Sequence, residues 1–280
     1  MNRSSTPTRQ YASAFRGLLL RDFRVLRREL MPFLLRVVMN PLLFLFVFTY
    51  IFPRLSAAAA GSSGMSGAMA TGSSSFGTVL LPGLMAVAIM FSGIAAVALP
   101  LATEFGITRE IDDRVMCPLP VYAVAVEKVV FSALQSILAA LIVFPLAYFI
   151  PSTPVHVAVH NWAFLIAVLV LASLAAGALG LTIGTSVKPQ QIGLIFSIVV
   201  VPITFLGCVY YPWAALGQHI RWLQYVVLVN PIVYMSEGLR AALTPGLPHM
   251  PEPLILSALL LSLLLLGYAG IRGFLRRVIG

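Results

Sequence analysis

Trp162-Ala-Phe-Leu-Ile-Ala-Val-Leu-Val-Leu-Ala-Ser-Leu-Ala-Ala-Gly-Ala-Leu-Gly-Leu-Thr-Ile-Gly-Thr-Ser-Val187 carries no charged residue. A helix needs about 20 predominantly apolar residues to cross about 30 Å of hydrocarbon, so this stretch reads as a transmembrane span. Within it Ala176, Gly180 and Gly184, each four apart, form a small-xxx-small ridge. Such a ridge lets a second helix approach closely, from the same chain or from another.

Lys188-Pro189 ends the run as a tight turn, and the pattern recurs on both sides. Six spans are expected, at 36–53, 78–103, 124–150, 162–187, 190–211 and 253–271. The Ser/Gly/Ala-rich segment 55–77 reads as a flexible outer tether, and a charged segment, 104–121, joins the second and third spans. Composition agrees: 60% of the 280 residues are hydrophobic and 10% charged, with a mean hydropathy of +0.97. Soluble domains carry about 25% charged residues, so a soluble or disordered chain is excluded.

The net charge of +9 is then a matter of topology, and no nucleic-acid partner is expected. Arg3, Arg9, Arg16, Arg21, Arg24, Arg27, Arg28 and Arg36 precede the first span or open it. Of 18 basic residues only Arg54, Arg221 and Arg240 fall outside in this layout, which leaves 18 − 3 = 15 inside. Lys and Arg accumulate on the cytoplasmic side, so both termini are expected in the cytoplasm. No apolar core of a signal peptide occurs within the first thirty residues.

Two segments depart from plain spans. Between Arg221 and Glu237 lie only fifteen uncharged residues, broken by Asn230-Pro231. That length suits a re-entrant helix pair on the outer side, and 212–251 is read so. At the other end, Tyr11, Phe15, Leu18, Leu19, Phe23, Leu26 and Leu30 recur at steps of three and four. With arginines on the remaining arc, residues 10–31 should form an amphipathic helix along the inner leaflet.

Few catalytic motifs survive scrutiny. A P-loop needs Gly-Lys-Ser/Thr, and the two lysines, Lys128 and Lys188, follow Glu127 and Val187. Gly61-Ser62-Ser63-Gly64 resembles an intramembrane protease signature but lies in the low-complexity tether, and His156, His160, His219 and His249 all fall in expected outer loops. No H-E-x-x-H occurs, so neither a catalytic residue nor a metal site is assigned. Cys117 and Cys208 fall on opposite sides of the membrane and cannot form a disulfide. The segment Glu104 to Pro120 gathers Glu104, Arg109, Glu110, Asp112, Asp113 and Arg114, and mixed signs on an inner loop suggest a docking surface for a soluble protein.

These features meet in one family. The chain resembles the membrane subunit of a type-2 ABC exporter, the ABC-2 type permease class that includes drug-efflux and polysaccharide or lipo-oligosaccharide export permeases. Two stretches carry the resemblance: Asn230-Pro-Ile-Val-Tyr-Met-Ser-Glu-Gly-Leu-Arg240 after Phe205-Leu-Gly-Cys-Val-Tyr-Tyr-Pro212, and Arg109-Glu110 with Pro118-Leu-Pro120 before Glu127-Lys128. The likeness extends from about residue 15 to about residue 275.

The resemblance implies one all-α integral membrane domain over 1–280, with an interfacial helix, six spans and the re-entrant pair. It implies a coupling helix at 104–121 that seats on an ATP-binding cassette ATPase, with Glu104, Arg109, Glu110, Asp112, Asp113 and Arg114 as contacts. Asn230, Pro231, Tyr234, Glu237 and Arg240 would shape an outer gate, and Glu237 and Arg240, three apart, can pair on one helix face. Substrate contacts would come from Met85, Met90 and Phe91 of the second span and Phe196 and Thr204 of the fifth. Two ATPase copies and a second, expectedly identical, permease would complete the complex in a bacterial inner membrane. ATP and magnesium would bind the ATPase; no cofactor is expected here. The near-absence of charge within the spans favours an amphipathic cargo such as a drug, lipid or lipid-linked glycan. A stand-alone secondary transporter is the alternative, although it would want mid-membrane ionisable groups and inverted repeats.

Overall fold

The computed structural model describes residues 7–47, 51, 76–108, 119–150 and 157–279, and every regular element among them is helical. In chain order these are α1 (Pro7–Arg28), α2 (Leu30–Phe46), α3 (Phe76–Thr103), α4 (Val121–Phe149), α5 (Trp162–Ser186), α6 (Ile192–Phe205), α7 (Trp213–His219), α8 (Arg221–Val226), α9 (Pro231–Leu243) and α10 (Glu252–Ile279).

Local signals explain the ends. Asn161 caps α5, its side-chain oxygen accepting from the Phe164 N–H at 3.1 Å. Pro189 stops the same helix just beyond its other end, because proline supplies no N–H. α3 holds Pro82 and Pro100 and runs on into a π-helical turn, Glu104–Thr108. A second π-helical turn, Phe196–Val200, interrupts α6.

Packing centres on α3. Leu80, Leu81, Leu84, Ile89, Met90, Ile94, Val97 and Leu101 are fully buried, so this helix is enclosed on all sides. The small-residue ridge of α5 meets α3 of the same chain. A Cβ on Gly180 would stand 2.9 Å from both the Cα and the carbonyl oxygen of Ile94, and one on Gly184 3.1 Å from the Cα of Ala98. Ser132 of α4 joins them by donating to the Gly93 carbonyl at 3.0 Å. Lipid is as apolar as leucine, so close van der Waals contact of this kind is what holds membrane helices together.

Around that core, α1 buries Leu26 and sets Phe23 edge-on to Phe131 of α4, with ring centroids 6.5 Å apart. α10 lies against α5 and leaves Leu260, Leu261, Leu264 and Leu265 exposed on its outer face.

Four helices are long and apolar enough to cross a membrane: Gly77–Gly106, Val121–Leu146, Trp162–Ser186 and Glu252–Val278. They overlie the spans expected at 78–103, 124–150, 162–187 and 253–271. The expected first span begins later than its helix, since α2 starts at Leu30 after a turn at Glu29. Residues 48–50 and 52–53 of that span lie outside the described residues, as do 55–75 of the tether, Arg54 and His156. The expected fifth span is also shortened: α6 ends at Phe205 and 206–211 are turns.

Candidate functional site

The 212–251 stretch folds into short helices with a sharp corner. Asn230 makes it: its Oδ1 accepts from the Ile232 N–H at 3.1 Å, capping α9, while its Nδ2 donates to the Ile203 carbonyl of α6 at 2.6 Å. Pro231 suits the first helical position because the N–H it lacks would have no helical partner there. The Tyr234 hydroxyl closes the corner by donating to the Leu228 carbonyl at 2.8 Å. Across it, Arg221–Val229 and Pro231–Leu243 are bent by 100°. A bend of this size fits a broken span or a re-entrant loop.

One turn further along α9, Glu237 and Arg240 are both fully buried and joined as an ion pair. The carboxylate is held by more than its partner. Its Oε1 accepts from the Trp213 N–H at 2.9 Å and its Oε2 from the Met250 N–H at 3.1 Å. The guanidinium donates in turn to the Cys208 carbonyl at 3.1 Å. Cys208 has φ 52°, a left-handed conformation that turns this carbonyl towards α9. Ser236 adds a bond to the Gly207 carbonyl at 2.7 Å. One helix thus reads the α6–α7 turn, the start of α7 and the loop before α10 through a single charge-neutral network. Such burial is tolerated because the charges are paired and most of their remaining bonding positions are filled, with only the Arg240 Nε left without a hydrogen-bond partner.

The opposite end of the bundle holds a second buried pair. Lys128, seven residues into α4, lies 2.8 Å from a Glu104 oxygen at the exit of α3. Glu104 is 5% exposed, so its carboxylate faces α4 and not solvent. Glu127 beside it is also buried. The other expected contacts, Arg109, Glu110, Asp112, Asp113 and Arg114, lie outside the described residues, together with Cys117. The second and third expected spans are therefore clamped where segment 104–121 leaves and returns.

Among the expected cargo contacts, Met85 and Met90 are buried in the core. Thr204 is buried and donates to the Val200 carbonyl at 2.7 Å. Phe196 packs at the α3–α6 seam. Phe91 is different: half-buried, it lines a cavity of about 320 Å³ between α2, α3 and α4, with Arg36 at its edge and Ser92 and Gln135 on its wall.

Sequence reading missed the Glu104–Lys128 pair. Its signal was a lysine inside an apolar span, where an ionisable side chain is expected to have a partner. Arg277 was missed too; its acceptors are backbone carbonyls, which leave no trace in the sequence.

The family described as ABC-2 type transporter matches residues 13–244. Over 165 residues the chain is 28% identical to a protein named inner membrane transport permease YadH from Escherichia coli (strain K12), covering 58% of this chain and 60% of that one. The same figures hold for the proteins of that name from Escherichia coli O157:H7 and Shigella flexneri. The chain thus spans about three-fifths of the length of these curated relatives.

Proposed function

The chain belongs to the ABC-2 type transporter family, and from that premise we propose that it is the permease subunit of an ATP-binding cassette exporter. It moves an amphipathic cargo outward across a bacterial inner membrane, driven by ATP that a separate ATPase hydrolyses. Four long apolar helices and the shorter α2 and α6 give six spans in this reading, with α1 along the inner leaflet and both termini cytoplasmic.

The observation that carries the proposal most strongly is the 100° corner at Asn230 with its buried Glu237–Arg240 network. Ion pairs of this kind are costly in an apolar setting, and their presence there points to a role in architecture or movement. Here the network makes α7, α9 and the α6–α7 turn one rigid cap over the end of α6. A cap of this kind can close the outer end of a pathway along α3 and α6.

At the inner end, the Glu104–Lys128 clamp fixes both ends of the segment that would seat on the ATPase. Arg109, Glu110, Asp112, Asp113 and Arg114 supply its mixed charges. Two ATPases and a second, identical permease complete the assembly. Its mechanism is a shift between inward- and outward-open states, each favoured by a different nucleotide state of the ATPase.

The test is affinity purification of the tagged protein from native membranes, followed by mass spectrometry. A stoichiometric P-loop ATPase is expected. A stable oligomer without one would favour a stand-alone secondary transporter. Reversing charge at Asp112→Lys and Asp113→Lys should abolish ATPase co-purification while membrane insertion persists; undiminished recovery of the ATPase would remove 104–121 from the docking surface.

A further inference from the structure

Three arginines end α10, and they do not behave alike. Arg272 and Arg276 are exposed, whereas Arg277 is half-buried and turned into the bundle. Its Nη1 donates to the carbonyls of Gly184, Thr185 and Val187 at 3.1, 3.4 and 2.9 Å. These belong to the end of α5 and the turn leading to α6, where free carbonyls and the helix dipole both favour a cation.

The Cζ of the same guanidinium lies over the Phe105 ring, 4.6 Å from its centroid, within the π-helical exit of α3. Phe105 in turn packs against the fully buried Phe274 of α10, with centroids 6.0 Å apart at 61°. One side chain therefore touches the end of α3, the end of α5 and the start of the α5–α6 turn. Arginine is the residue that can do this, since it bonds along its edge while stacking through its face; lysine has no such plane.

We propose that Arg277 is a positioning residue that transmits movement from the exit of α3 to α6. It rests on the exporter reading: displacement of the segment after Thr108 drags Phe105, Arg277 follows, and the α5–α6 turn shifts with it. Arg277 touches neither cargo nor nucleotide. Its role is to make three helix ends move as one body. The interposed π-helical turn gives the exit of α3 a place to yield without unfolding the span.

The test has two arms. In the permease alone, hydrogen exchange is followed at the amides of 104–108 and 185–191 in wild type, Arg277→Lys, Arg277→Met and Phe105→Leu. Arg277→Met should speed exchange about tenfold in both segments, with Phe105→Leu and Arg277→Lys intermediate. Unchanged exchange in both segments would overturn the proposal whatever the protein transports.

In the second arm a fluorophore is placed at Gly193→Cys in a Cys117→Ser background, since position 193 has open space around it and Cys208 is buried. With the co-purified ATPase in nanodiscs, ATP with vanadate should alter its emission in wild type. In Arg277→Met that response should fall about fivefold while ATP hydrolysis continues and the complex stays intact. A full response in Arg277→Met refutes transmission through this residue. If Arg277→Met does not fold, Phe105→Leu, which removes the ring and leaves the carbonyl bonds of Arg277 in place, must lower the response or the proposal fails. Absence of any co-purifying ATPase would defeat the exporter reading, and the exchange arm would still decide the contact.

Discussion

Glu237 receives three donors, from Arg240, Trp213 and Met250, and none of the carboxylate reaches solvent. Removing Arg240 would leave a buried anion without its compensating charge. The loss of one partner from such a pair costs about 3–5 kcal/mol, whereas exchanging both for apolar residues of like volume is far milder. Arg240→Met should therefore lower the melting temperature in detergent sharply, and Glu237→Gln less, because an amide oxygen still accepts from the two backbone N–H groups. The double variant Glu237→Met/Arg240→Met should cost less than the Glu237→Met and Arg240→Met singles summed, which a double-mutant cycle of thermal melts would read directly. Additive losses would mean that the two side chains do not act as a pair. The pair is legible in the sequence, since residues three apart share a helix face. The partners that complete it are not, being backbone groups supplied by turns 24 and 32 residues away along the chain.

The contact of α5 with α3 depends on what the helices lack. Gly180 meets the Ile94 backbone itself, and backbone cannot swing aside as a side chain can. Gly180→Leu should then force the two helices apart, at a cost of about 3 kcal/mol or more. The expected result is loss of the monodisperse peak on size-exclusion chromatography. Gly267→Leu is the control: it lies on an apolar span, with open space around its Cβ position, and should leave the peak unchanged. Survival of Gly180→Leu as a well-behaved protein would show that this interface is not tightly packed.

The ridge itself could be read from Ala176, Gly180 and Gly184, but its partner could not, because small residues advertise close approach without naming what approaches. Helix ends show a related limit. Hydropathy marks where apolar character stops, so Arg36 delayed the expected first span and Arg272 closed the expected last one. Backbone hydrogen bonding does not stop at a charge, and the helices run from Leu30 and on to Ile279. At α6 the error goes the other way: Gly207 and the left-handed Cys208 break the helix within an apolar run, where hydropathy carries no signal of a turn.

At the scale of the molecule, contacts sort the chain into two ends. Glu104 on Lys128, Arg277 on Val187 and Phe23 near Phe131 gather the ends of α3, α5 and α10 with the start of α4 and α1. At the other end, Ala158 bonds to the Leu243 carbonyl, and Asn230 and Met250 reach α6 and α9. The basic residues of α1, Lys188 and the three arginines that close α10 all belong to the first group. The proposed topology puts this cationic end in the cytoplasm, since translocating many arginines is what the insertion process resists. Gly17 on α1 and Gly246 in the loop after α9 test this, for each is exposed with open space around its Cβ position. In a Cys117→Ser background, a membrane-impermeant maleimide added to intact cells with a permeabilised outer membrane should label Gly246→Cys and spare Gly17→Cys. Lysis of the inner membrane should make Gly17→Cys reactive, while Cys208, being buried, contributes little signal in either case. Labelling of Gly17→Cys from outside with Gly246→Cys spared would mean that the bundle sits the other way round. The cation-rich end would then face outward, and with it the Glu104–Lys128 clamp and Arg277, where no ATPase could reach them.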